Sequence, residues 1–289
     1  MTEPGGVRGH GLAGAPVDPV RARSFDGAAG TYDVARPPYP EELLAELFER
    51  VPRGAGTRVL DVGCGTGRLS VRFAERGAEV WGLEPGPHLA EIARERLSRS
   101  PGSRVLVTRF EDWEGPAIPF DVVISSTAFH WVERGGRARR AAELLRPGGL
   151  LVIIDTHQVA GGTPGFFEAS QECYRRWDPG YRPDLRLPSP SEAHIDLGDV
   201  ESLGSFREVL ARDYLREIRY TTEEYLRLLG TYSDVRVIEA GAREAFLQCI
   251  GELIRSRFGG SVVKAVQYEL RIFERVAEDT SASPAPGPR

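Results

Sequence analysis

VLDVGCGTGRL, residues 59–69, is the stretch that decides how this chain folds. An apolar run closing on Asp61 and Val62 meets glycines at 63, 65 and 67, and an amphipathic pattern begins directly afterwards, so a strand turns straight into a helix. Glycines suit such a junction because the chain turns sharply and a ligand must approach the backbone. The helix amino terminus also offers unpaired N–H groups and positive potential. The third glycine comes one residue too early for the dinucleotide fingerprint, which argues against NAD.

Downstream, AEVWGLE (78–84) ends on Glu84 and is followed by Pro85 and Gly86. A carboxylate at the carboxyl end of a second strand can accept hydrogen bonds from both hydroxyls of a ribose, so turn and carboxylate together describe a nucleoside site. The pattern keeps alternating. A helix spans 68–76, another follows Pro87, and RVLVTR (104–109), FDVVISS (120–126) and GLLVIID (149–155) are strands, with a helix ending at AAELL before the last. Short β-branched runs separated by amphipathic helices indicate a parallel sheet covered on both faces. Upstream, Leu43, Leu44, Leu47, Phe48 and Val51 form a helical stripe between Pro40 and Pro52.

After Asp155 the pattern changes. A helix at 164–177 leads into a stretch rich in Pro, Gly and Asp, and residues 160–204 are expected to be an insertion over the carboxyl edge of the sheet. Residues 210–220 and 262–272 alternate as strands, and Val262, Val266, Tyr268, Leu270 and Ile272 share one parity. Thr221 and Glu224 form a capping box, and a longer helix spans 236–257. Such a pair of strands closes the sheet with one antiparallel member.

With 289 residues and 41% hydrophobic content, one principal domain is expected at 25–278. Residues 1–24 and 279–289 contain few large apolar groups and read as disordered. A net charge of -5 gives no general attraction to nucleic acid or anionic lipid, and Arg134, Arg137, Arg139 and Arg140 read as a solvated helix face. Cys64, Cys173 and Cys249 suggest neither a disulfide framework nor a zinc site, which fits a reducing, cytoplasmic setting. No apolar stretch approaches the roughly 18 residues that span a bilayer.

DVGCGTGRLS, VWGLEP, RFEDW, FDVVISSTAFHWV and LLRPGGLLVI resemble, in order, the motifs of class I S-adenosylmethionine-dependent methyltransferases. FDGAAGTYDVARPPYP, the FHW triplet and LLGTYSDV are further similar to a small-molecule, trans-aconitate-type branch. The resemblance implies a doubly wound, mostly parallel seven-stranded sheet with one antiparallel strand and S-adenosyl-L-methionine as cofactor. Asp61 and the turn Gly63, Cys64, Gly65, Gly67 then hold the methionine portion, and Glu84 with Pro85 holds the ribose. Phe110 and Glu111 flank the adenine, and Ser125 and Ser126 line the path of the sulfonium. Arg109 stands where the family often has an acidic residue, which leaves Glu111 to read the adenine amino group. Tyr32, Arg36 and Tyr39 fall in a segment that the resemblance makes a lid.

Residue types leave some roles open. Asp61 can touch ligand or pair with groups of its own loop. A thiol at a helix amino terminus can become reactive, but Cys64 reads as a packing residue. His130 and His157 follow the fourth and fifth strands, at the edge where doubly wound sheets bind ligands, so His130 is the candidate catalytic base and His157 a substrate contact. A small-molecule acceptor is expected, with oxygen, nitrogen and carbon all open as the methylated atom. Competing readings are S-adenosylmethionine binding without methyl transfer, and RNA methylation. The second is disfavoured by the acidic charge and by SSTAFHW standing where an NPPY-like motif is wanted.

Overall fold

A computed structural model describes residues 26, 30, 33 and 35–276 of the chain. The expectations for residues 1–24, for Tyr32 and for 279–289 concern positions outside the described residues. Helix α1 (Glu41–Arg50) forms where the apolar stripe begins and buries Leu43, Leu44, Leu47 and Phe48. Alternation follows: β1 (Arg58–Val62), α2 (Arg68–Ala74), β2 (Glu79–Leu83), α3 (Pro87–Leu97), β3 (Arg104–Leu106), β4 (Phe120–Ser126), α4 (Arg137–Leu144) and β5 (Leu145–Val159). β3 is shorter than its sequence run because only Val105 is buried and Val107 is exposed. The second half contains α5 (Phe166–Trp177), α6 (Gly198–Glu201), β6 (Phe206–Thr221), α7 (Thr222–Leu229), α8 (Ser233–Arg236), α9 (Ala240–Arg257) and β7 (Ser261–Arg275). The capping box at Thr221 and Glu224 opens α7 as expected.

The strands form one seven-stranded sheet in the order β3-β2-β1-β4-β5-β7-β6. β1 to β5 pair in parallel, and β7 runs antiparallel to both β5 and β6. The order reverses between β1 and β4, which opens a crevice above their carboxyl ends. Alternate residues build the two layers of core. Val59, Val80, Val122, Ile124 and Val152 pack with α1 on one face, while Leu60, Val62, Val123, Leu151 and Ile153 pack with α4 and with Leu197 and Val200 on the other.

β7 was expected to bury one face and buries both. Residues 193–200 cover the second, where Gln267 donates to the Ala193 carbonyl at 3.0 Å and Glu269 accepts the Ile195 N–H at 2.8 Å. Residues 160–204 therefore pack in two places. Their first half, α5, joins α7 and α9 in a separate apolar cluster around Phe166, Tyr225, Phe246 and Ile250, and their second half runs down the α4 face.

That second half also corrects the arginine reading. Arg137 is buried and grips Asp199 through Nε and Nη2, both at 2.8 Å, while Nη1 donates to the Phe129 carbonyl at 2.6 Å. Arg134 pairs with Asp196, Arg140 donates to the Trp113 carbonyl, and only Arg139 keeps to the solvated role. Asp196 and Asp199 lie some sixty residues from these arginines in sequence, so the pattern of one helix could not reveal its partners.

The cysteine reading is overturned as well. Cys173 on α5 and Cys249 on α9 form a disulfide with a Cα–Cα distance of 5.9 Å. The two are 76 positions apart and meet only once α5 packs on α9. Such bridges are rare where glutathione keeps thiols reduced, so this one stands against the reducing-compartment expectation. Among the described residues no helix is long and apolar enough to cross a membrane.

Candidate active site

The turn between β1 and α2 is clamped to the end of β2, because the N–H groups of Gly63 and Cys64 both donate to the Leu83 carbonyl, at 2.9 and 3.0 Å. Gly63 has φ 69° and a Cβ there would stand 2.4 Å from the Cβ of Ala128, so the position admits only glycine. A Cβ at Gly65, also at positive φ, would meet nothing within 4 Å among the described residues, so the backbone at Gly65 borders open space among them.

Two buried carboxylates flank this turn. The Oδ2 atom of Asp61 accepts the Ser70 hydroxyl at 2.6 Å, and burial pushes the carboxyl up to about 6. Glu84 accepts the Gly65 N–H at 3.0 Å and the Gly86 N–H at 2.8 Å. Burial raises Glu84 to about 7 despite those two bonds, helped by the negative charges of Asp26 and Asp61. A carboxylate has about four lone-pair sites, so both side chains can accept more donors. Cys64 packs beneath the turn among Ala90, Ala93, Leu97 and Val105. Burial first, then the charges of Asp61 and Glu84, push its thiol well above the ordinary range, which keeps it protonated and inert. Pro85 is exposed just past Glu84.

The segment before α1 lies across this end of the sheet. Asp26 accepts the N–H groups of His88 and Leu89 at 2.8 and 3.1 Å and so caps α3, whose own N-cap residue, Gly86, has no side chain to do it. Asp33 accepts the Thr66 hydroxyl at 2.6 Å and pairs with Arg96, and Arg68 donates to the Pro37 carbonyl at 3.1 Å. Arg36 donates to the hydroxyl and carbonyl of Thr231 at 3.0 and 3.2 Å, and the Tyr39 hydroxyl lies 2.8 Å from Ser126 Oγ. Sequence reasoning missed Asp26 and Asp33. The bare glycine cap of α3 was the signal that a remote carboxylate was needed.

Other expected residues are distributed as follows. Phe110 is buried with Leu60, Val62 and Leu83, and Glu111 accepts from the Glu133 N–H at 2.9 Å and from Arg109 at 3.0 Å. Ser125 is turned inward. Its hydroxyl donates to the Val62 carbonyl at 2.8 Å and ties β4 to β1, while only its neighbour Ser126 reaches the strap at Tyr39.

Thr127 adopts φ 52°, uncommon outside glycine, and turns the chain after β4 so that the 3-10 turn Phe129–Trp131 comes back over β5. There His130 Nδ1 stands 3.3 Å from Asp155 Oδ2. Burial alone would raise Asp155. The facing His130, then His157 and the Thr156 N–H, outweigh it and hold the carboxyl below the usual range. Asp155 as the partner of His130 was not anticipated. His157 has its Nε2 on Glu269 at 2.9 Å. Burial disfavours its cation, but Glu269, Asp155 and Asp213 outweigh burial and raise its pKa, and the Nε2–Glu269 contact ties β5 to β7.

Residues 59–149 match the methyltransferase domain family. An uncharacterized methyltransferase of Mycobacterium tuberculosis is 35% identical over 131 residues, which is 45% of this chain and 51% of the relative, so the chain spans about half the length of that protein. An uncharacterized methyltransferase of Oceanobacillus iheyensis is 30% identical over 213 residues, covering 72% of this chain and 84% of the relative. Among solved structures, one titled "a Putative Type II Methyltransferase from Anaeromyxobacter dehalogenans" superimposes with a TM-score of 0.56 at 25% identity, covering 83% of this chain and 97% of the other. With the sheet order, the glycine turn and the two strand-end carboxylates in agreement, the chain belongs to the class I S-adenosylmethionine-dependent methyltransferases.

Proposed function

We propose that the protein transfers a methyl group from S-adenosyl-L-methionine to a small-molecule acceptor by in-line displacement. The carrying observation is the pair of buried carboxylates, Asp61 and Glu84, on either side of a turn whose Gly65 backbone borders open space. Carboxylates that burial has raised, with acceptor capacity to spare, fit a ligand that offers an ammonium and two ribose hydroxyls. In this reading Glu84 takes the ribose, Asp61 and residues 63–67 the methionine portion, Phe110 and Glu111 the adenine, and Ser126 with Tyr39 borders the acceptor. Bound there, the cofactor supplies a methyl group already activated by positive sulfur.

What remains for the chain is alignment, exclusion of water and, for a protonated acceptor, removal of a proton. Because Asp155 can only accept, the proton of a neutral His130 sits on Nδ1, and Nε2 is left to take a proton from the acceptor or to orient it. The segment carrying Arg36 and Tyr39 is the lid, and the acceptor is a small organic acid or phenol, in keeping with the trans-aconitate-type branch. The -5 charge offers no attraction to RNA. Calorimetry with S-adenosyl-L-methionine and release of S-adenosylhomocysteine on incubation with candidate acceptors test the reading. Failure to bind the cofactor would remove it.

A further inference from the structure

We infer that Lys264 and Tyr220 bind a carboxylate of the acceptor, an inference that rests on the methyl-transfer reading above. Lys264 is the sole lysine of the chain and is only 4% exposed. Its Nζ donates to the Tyr232 hydroxyl at 2.7 Å and stands 4.8 and 5.6 Å from the ring centroids of Tyr232 and Tyr225. Among the described residues it has no ion pair with a carboxylate. Tyrosine faces and one phenol oxygen compensate part of the hydration that an ammonium loses, and the remainder calls for an anion.

Tyr220 is the second, independent observation. Its hydroxyl is buried without a hydrogen-bond partner among the described residues, a state that few buried polar groups keep. In the β6–β7 ladder Tyr220 pairs with Val262 and Ile218 with Lys264, so Tyr220 and Lys264 are diagonal neighbours on one face. The indole N–H of Trp177, in the same apolar cluster, is likewise buried without a partner among the described residues. An unpartnered hydroxyl donor beside one buried cation suits an anion better than a neutral acceptor and repels a cationic group.

The position suits an acceptor. β7 runs antiparallel to β5, so its first residues lie beyond the carboxyl end of β5; Ala265 is opposite Val159, the last residue of β5. The strap joins this corner to the crevice. Arg36 covers the Tyr232 ring at 4.7 Å, and three residues on, Tyr39 meets Ser126. An acceptor held by its carboxylate at Lys264 reaches back under the strap toward the end of β4.

The test is calorimetry on the full chain saturated with S-adenosylhomocysteine, titrated with acetate, benzoate and cinnamate and with the neutral amide of each. At least one acid should bind about tenfold tighter than its amide, and Lys264→Met and Tyr220→Phe should each remove that preference while S-adenosylhomocysteine affinity stays at the wild-type level. Tyr220→Phe keeps the packed ring, so it reads the site even if Lys264→Met does not fold. Overturning results are acids that never outbind their amides, or a preference that survives in Tyr220→Phe. A wild-type protein that does not bind S-adenosylhomocysteine strikes the methyl-transfer reading instead, before any acid is added.

Discussion

Glu84→Gln separates what the fold needs from what the ligand needs. Burial raises the Glu84 carboxyl from 4.5 to about 7, so the folded protein prefers the neutral acid. The sign follows from linkage. This group's stabilising contribution is complete below pH 4.5 and disappears as the pH rises through 7. The rise is worth roughly 3 kcal/mol at ~1.4 kcal/mol per pH unit, of which roughly 2.5 falls between pH 5 and 8. Glutamine is neutral at every pH, but it can accept only one of the N–H bonds from Gly65 and Gly86, a loss of about 1–3 kcal/mol. The ligand-free variant should therefore be less stable than wild type at pH 5 and nearly equal to it at pH 8. Urea unfolding of both proteins across that range reads the difference, which should climb by roughly 2.5 kcal/mol. In the same variant, S-adenosyl-L-methionine affinity at pH 8 should fall by about 1.5–3 kcal/mol. Parallel stability curves would refute the buried-acid argument, and unchanged affinity would refute the ribose assignment.

If His130 is a base, His130→Ala should lower turnover by about 10²–10⁴ with cofactor affinity near wild type, and Asp155→Asn should lower turnover in the same sense; full activity in both makes the pair structural. Replacing Cys173 and Cys249 by serine should lower stability by about 4 kcal/mol for a bridge closing 76 positions, read by denaturation with and without reductant. Arg137→Ala leaves Asp199 only the longer pair with Arg134 at 3.6 Å and should cost about 3 kcal/mol, seen as a lower melting temperature.

The sheet was legible because its signals are local. Apolar runs mark β1, β2 and β4, prolines bracket α1, and the glycine turn fixes where the crevice opens. Asp61 and Glu84 were legible for the same reason, since each closes a strand beside that turn. Asp26, Asp33 and Asp155 were not, because their partners are His88, Arg96 and His130, brought close only by the finished fold. The same holds for Arg137 with Asp199 and for the disulfide, where a helical pattern and a cysteine count say nothing about partners in a distant insertion. Ser125 and Ser126 show the limit at single-residue scale. A strand end names both hydroxyls as candidates, and the alternation of the strand decides that one bonds β1 while the other meets the strap.

Because β7 lies between β5 and β6 although it follows both in sequence, these three strands cannot pair as they do here during synthesis until β7 has left the ribosome. Until then β5 has an unfilled edge and β6, a strand of 16 residues, has no neighbour on either side. The nascent chain thus carries an interval in which two long strand edges are open to mispairing, and a chain cut short before Ser261 is left in that state permanently.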